Sequence, residues 1–137
     1  MPASPVSLFR FAVLALAQCS SPAWADVVIF TDARHPLIST GGSRVVLLDA
    51  PKQIEAALSE NLPPDADKAA SLVRARLAQQ PELSKQIAQS YQGVLDAHTL
   101  GISKIPAVVV DRRYVVYGEP DVEAALAHIA DYRNRAR

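Results

Sequence analysis

Cysteine is almost missing from this chain: Cys19 is the only one in 137 residues, and the only tryptophan, Trp24, lies close to it near the N-terminus. A lone cysteine excludes a disulfide scaffold within the chain. It also excludes dithiol exchange, which needs an attacking thiolate and a second sulfur to resolve the mixed disulfide. Glycine is scarce, at five residues, and none sits in a phosphate loop, a dinucleotide fingerprint or a Gly-x-Ser-x-Gly elbow. Neither sign of charge prevails, with 14 basic and 14 acidic residues, so the electrostatic footprint of a nucleic-acid binder is lacking. The three histidines, His35, His98 and His128, are widely spaced and have no short His-x-His pattern or cysteine beside them, which argues against a metal site. No apolar run reaches the roughly 20 residues needed to cross a bilayer, and there is no internal repeat.

What is present begins with an export signature. Arg10 supplies a weak positive region, the segment from Phe11 to Ala17 a short apolar core, and Ala23-Trp24-Ala25 a small-x-small cleavage site. Residues 1–25 are therefore expected to be a signal peptide, cleaved after Ala25, with periplasmic delivery of residues 26–137. A lipoprotein is the lesser alternative, because Gln18 stands before Cys19 where a small residue is usual. The remaining 112 residues suit one domain. Only Arg10 among the basic residues precedes Asp26, so 13 basic residues face 14 acidic ones in that domain.

The apolar pattern gives an α/β order. Val27-Val28-Ile29-Phe30-Thr31 and Val45-Val46-Leu47-Leu48 are β-branched, apolar on both faces, and read as strands buried between two layers. A polar loop from Asp32 to Arg44 joins them. Three helices are expected next: one over Pro51 to Leu58, one entered by Pro63-Pro64-Asp65, and one starting at Pro81. The third carries its stripe on Leu83, Ile87, Tyr91, Val94, Leu95 and His98. Ala107 to Val110 and Tyr114 to Tyr117 form a hairpin about Asp111-Arg112-Arg113. Pro120 fits the first turn of a last helix whose stripe is Val122, Ala125, Leu126, Ile129 and Tyr132. Strand–helix–strand followed by an antiparallel hairpin predicts a four-stranded mixed sheet with helices on its faces.

Two places stand out as candidate sites. In FTDARHPLI, His35-Pro36 lines up with the Cys-Pro-x-Cys that follows the first strand of glutaredoxin-like proteins, with His35 at the nucleophile position and Ile38 at the resolving one. An imidazole cannot replace a thiolate, so this alignment implies a binding surface in place of a redox site. A solvated loop histidine before a turn proline explains the same residues. Ile105-Pro106, before a β-branched strand, suggests a cis-proline loop able to meet an extended peptide; a proline that merely starts a strand is the alternative. Asp32, Asp49 and Asp111 all fall at strand ends, where aspartate caps and turns. The candidate interaction surface is thus Asp32, His35, Pro36, Ile105 and Pro106, with no catalytic, cofactor-binding or metal-binding residue assigned.

The run Leu100 to Val122, LGISKIPAVVVDRRYVVYGEPDV, resembles the C-terminal half of a thioredoxin fold, and the insertion of three helices between strands two and three would enlarge that fold. Phe30-Thr31-Asp32, Leu48-Asp49-Ala50, Leu58-Ser59 with Leu62-Pro63, Tyr91-Gln92-Gly93-Val94 and the KIPAVVVD…VVYG…DV block are similar to a family of small exported proteins. That family is encoded in integrating conjugative elements, among genes for type IV secretion and mating. The resemblance implies a thioredoxin-like, non-enzymatic interaction or assembly component working with other proteins of the transfer apparatus, without cofactor, nucleic acid or membrane span. A thiol-disulfide oxidoreductase relative, and a small envelope hydrolase or metal-dependent enzyme using Asp32, His35 or Asp49, are the alternatives.

Overall fold

Five consecutive apolar or β-branched residues, Val27–Thr31, form β1, and all but the first are buried because this strand lies inside the sheet. The computed structural model describes residues 26–136; the expected signal segment, its cleavage site and Cys19 lie outside them. The elements that follow are β2 (Arg44–Leu47), α1 (Ala50–Ser59), α2 (Ala66–Gln79), α3 (Pro81–Thr99), β3 (Ala107–Val110), β4 (Tyr114–Tyr117) and α4 (Val122–Arg135). The sheet runs β2-β1-β3-β4, with β2 parallel to β1 and the other neighbours antiparallel. The architecture is therefore α/β, with four helices and a four-stranded mixed sheet.

Local chemistry sets the helix ends. Proline opens the first turns of α1 and α3, where a missing N–H leaves nothing unsatisfied. The Asp65 carboxylate accepts from the Lys68 N–H at 2.9 Å to cap α2, and Asp121 accepts from the Glu123 N–H at 3.0 Å to cap α4. Pro120 consequently stands one residue ahead of the cap instead of inside the first turn. Arg133 and Arg135 fall in the last turn of α4, where cations suit the helix dipole.

Each face of the sheet has its own core. On one, Val28, Phe30, Ala107 and Val109 pack with Ala97 of α3; on the other, Ile29 and Val108 pack with Val122 and Ala125 of α4. Helices α1 and α2 pack mainly against α3 and against each other. The Tyr91 hydroxyl donates to Glu55, tying α3 to α1 at the surface.

Three expectations about burial change. β2 is an edge strand, so Val45 and Leu47 are 38% and 41% exposed instead of sandwiched. The buried line of α3 passes through Gly93 and Ala97, while Tyr91, Val94 and Leu95 point to solvent. The reason is proximity: a Cβ on Gly93 would lie 2.6 Å from Cγ1 of Val46, so small residues make the contact that large ones were expected to make. Tyr132 is 59% exposed, its ring set edge-on to Tyr114 at 6.3 Å.

The loop 32–43 joins two parallel strands without a helix. It is fastened to the entrance of α4 instead: the Ile38 N–H donates to the Pro120 carbonyl at 3.0 Å, and the Val122 N–H to the Ser39 carbonyl at 3.4 Å.

Candidate functional site

The C-terminal ends of β1 and β2 and the start of β3 share one end of the sheet. Asp32 leaves β1 there, Asp49 follows β2, and the register that sets Phe30 opposite Ala107 carries Thr31 toward Pro106. The Ile105-Pro106 bond is cis.

Asp32 organises the loop. Its side chain is only 8% exposed, and Oδ1 accepts from three donors: the Arg34 N–H at 2.9 Å, the His35 N–H at 3.0 Å, and the His35 ring Nδ1 at 2.6 Å. Oδ2 faces the Arg34 guanidinium at 3.4 Å. An aspartate whose carboxylate takes the N–H groups two and three residues on closes an Asx turn. Thr31 adds a further tie, its hydroxyl donating to the His35 carbonyl at 2.7 Å. Asp49 holds the same loop from the β2 side: Oδ2 accepts from the Ala33 N–H at 3.2 Å and from the Gln53 amide at 2.8 Å. Oδ1 of Asp49 is buried without a hydrogen-bond partner.

The hydrogen bond from His35 is the largest influence on the Asp32 carboxyl and draws its pKa below the ordinary aspartate value; partial burial opposes this, and the Arg34 N–H and the nearby positive charges add to it. A carboxyl with a depressed folded-state pKa contributes stability that is complete above the unfolded value, near pH 4, and is lost as pH falls through the depressed one. Thermal midpoints measured from pH 6 down to pH 2 should therefore fall for the native chain, and Asp32→Asn should flatten that acid limb. Parallel acid limbs for the two proteins would show that this carboxylate is not a source of the pH dependence.

A carboxylate only accepts, so the Asp32 partner fixes the proton on Nδ1 and leaves Nε2 of His35 as the outward atom. Such a nitrogen can accept a proton or a hydrogen bond. Among the described residues no serine, threonine or cysteine is hydrogen-bonded to it, and no three His, Cys, Asp or Glu side chains form a set able to hold a metal ion.

The five surface candidates divide. His35 and Pro36 are exposed; Asp32 is buried beneath them. Pro106 is buried with its carbonyl taken by the Gly118 N–H at 2.8 Å, and Ile105 packs against the Phe30 cluster, so these two shape the sheet end from within. Sequence reasoning overlooked Thr31 and the reach of Asp49 to Ala33. The Asp-x-x-His spacing was a usable sign of the Asx turn; nothing local signals a bond spanning from residue 33 to residue 49.

No curated protein and no solved structure matches the chain. Residues 24–135 match the family described as "Protein of unknown function (DUF1525)". Since that match spans most of the sequence, the chain belongs to the DUF1525 family.

Proposed function

We propose that the protein is a periplasmic, non-enzymatic interaction or assembly component of the transfer apparatus of an integrating conjugative element, built on a thioredoxin-like body. The observation that carries this reading is the loop after β1: His35 is pinned to Asp32 at 2.6 Å where a redox relative would carry its nucleophilic cysteine. No cysteine occurs in residues 26–137, so the loop offers an ordered, ion-paired surface in place of a thiol. The β2-β1-β3-β4 order, the hairpin and the proline before β3 support the thioredoxin likeness. The export signature of residues 1–25 and the KIPAVVVD…VVYG block support the cellular setting.

The test is transfer frequency from a donor carrying a clean deletion, complemented by the native chain or by His35→Ala. We expect a large loss on deletion, restored by the native chain and not by the variant, with both accumulating in the envelope to equal levels. Unchanged transfer from the deleted donor would remove the protein from the machinery; full rescue by His35→Ala would remove the loop from its working surface.

A small envelope hydrolase is the second reading, favoured by the same aspartate–histidine pair, which resembles the base and orienting acid of hydrolytic triads. It ranks lower because the third member, a hydroxyl or thiol on the ring's outer nitrogen, is lacking among the described residues.

A further inference from the structure

Both outer strands of the sheet are bare of a second neighbour, but they are not equivalent. In β4 the Gly118 N–H bonds the Pro106 carbonyl, which fixes the phase of the β3–β4 ladder. Hydrogen-bonded pairs then fall at Val108 with Val116 and Val110 with Tyr114. The N–H and C=O groups of Val115 and Tyr117 consequently point away from the sheet. The strand reads Tyr-Val-Val-Tyr, with no charge and no proline to blunt it, the features by which edges normally refuse partners.

We propose that β4 pairs with β4 of a second copy of this chain, antiparallel about a two-fold axis, joining two four-stranded sheets into one. The outward groups limit the register to those that join odd-numbered residues, and the one that also opposes unlike charges has Val115 of one copy exchanging bonds with Tyr117 of the other, so that Val116 meets its own mate. In that register Tyr117, 41% exposed in the single chain, covers the partner's Val115, an aromatic on β-branched pair of the kind that stabilises sheets. The same count sets Arg113 against the turn that carries Glu119, twice over by symmetry. Arg113 is exposed beside Tyr114, its guanidinium 5.5 Å from the ring centroid. Glu119 gives one carboxylate oxygen to the Asp121 N–H, and its other oxygen has no partner among the described residues. The two copies of Arg113 stand a strand length apart, so the arrangement brings opposite charges together and keeps like charges separate. The β2 edge lacks this match: its outward residues are Val45 and Leu47, and the corresponding register would set Arg44 against Leu48.

Sedimentation equilibrium over a range of concentrations, on protein made from the full coding sequence, tests the pairing. The native chain should pass from monomer to a species of twice the mass. Tyr117→Pro deletes an outward N–H together with the ring that covers the partner's Val115, and it should be monomeric with an unchanged circular dichroism spectrum, because an edge strand tolerates proline where its N–H faces out. Val45→Pro, the equivalent change on β2, should leave the dimer intact. Arg113→Glu and Glu119→Arg should each weaken association by about tenfold, from two lost cross-strand pairs that become repulsive, and the double variant should restore it. A native chain that stays monomeric at every concentration, even one that takes up a strand from another protein, overturns the proposal. So does a dimer that survives Tyr117→Pro or dissolves with Val45→Pro. Should Tyr117→Pro unfold the chain, the charge exchange decides alone: failure of the double variant to recover association refutes the register.

Discussion

Phe30→Ala should remove a large part of the protein's stability. Phe30 is fully buried in β1 and belongs to the cluster shared with Val28, Ala97, Ala107 and Val109. Emptying such a site costs about 3–5 kcal/mol, the lost transfer energy plus the cavity left behind. A domain of this size has a total stability of about 5–15 kcal/mol, so the variant forfeits a large part of it. Urea titration followed by circular dichroism reads the effect as a midpoint displaced far toward zero. Tyr132→Ala is the control: most of that ring already meets water, and its loss should cost about 0.5 kcal/mol. Equal midpoint shifts for the two variants would contradict the placement of the core on the α3 face of the sheet.

The second large effect belongs to Gly93, and its sign runs against helix propensity. Alanine in a helix interior is ordinarily better than glycine by roughly 1 kcal/mol. At this position, though, the new Cβ would lie 2.6 Å from Val46 Cγ1, closer than carbon atoms approach. Valine is stiff about χ1, so turning the methyl away costs a less favoured rotamer unless the strand moves. The contact sits where α3 crosses β2, so relief comes from the Val46 rotamer or from a shift of the edge strand. Gly93→Leu should therefore destabilise by about 1–3 kcal/mol, and Gly93→Ala should do so less. In a Val46→Ala background the penalty for Gly93→Ala should vanish and the ordinary helix gain return. A double-mutant cycle with no coupling between the two positions would mean that the helix does not press on the strand at this point.

Much of the architecture was legible because its signals are local. The β-branched run of β3 and the Tyr-Val-Val-Tyr of β4 were bounded by proline and turn residues, and both strands have the limits the sequence implies. The starts of α2 and α3 followed from Asp65 and Pro81. Burial was less legible, for two physical reasons. Periodicity finds an apolar stripe on α3, but the helix meets the sheet along its smallest residues, so Gly93 and Ala97 go inside while Leu95 stays out. An apolar run also reads alike at the centre and the rim of a sheet, and only strand order separates Val45 from Ile29. At the candidate site, position pointed to Asp32 and His35, and the Asx turn joins them. The grip of Asp49 on that loop depends on β2 lying parallel beside β1, which no local pattern carries.

The fastening of the 32–43 loop to the mouth of α4 bears on the order of events as the chain folds. Residues 38 and 39 find their backbone partners at residues 120 and 122, some eighty positions later. Contacts so distant in sequence form late, because a long stretch must be ordered before they can close. A chain that leaves a ribosome or threads a translocation pore with its N-terminus first delivers His35 well before the clamp. Until α4 arrives, the histidine-bearing segment lacks its backbone ties to residues 120 and 122, so the surface it presents is completed only after some eighty further residues have appeared.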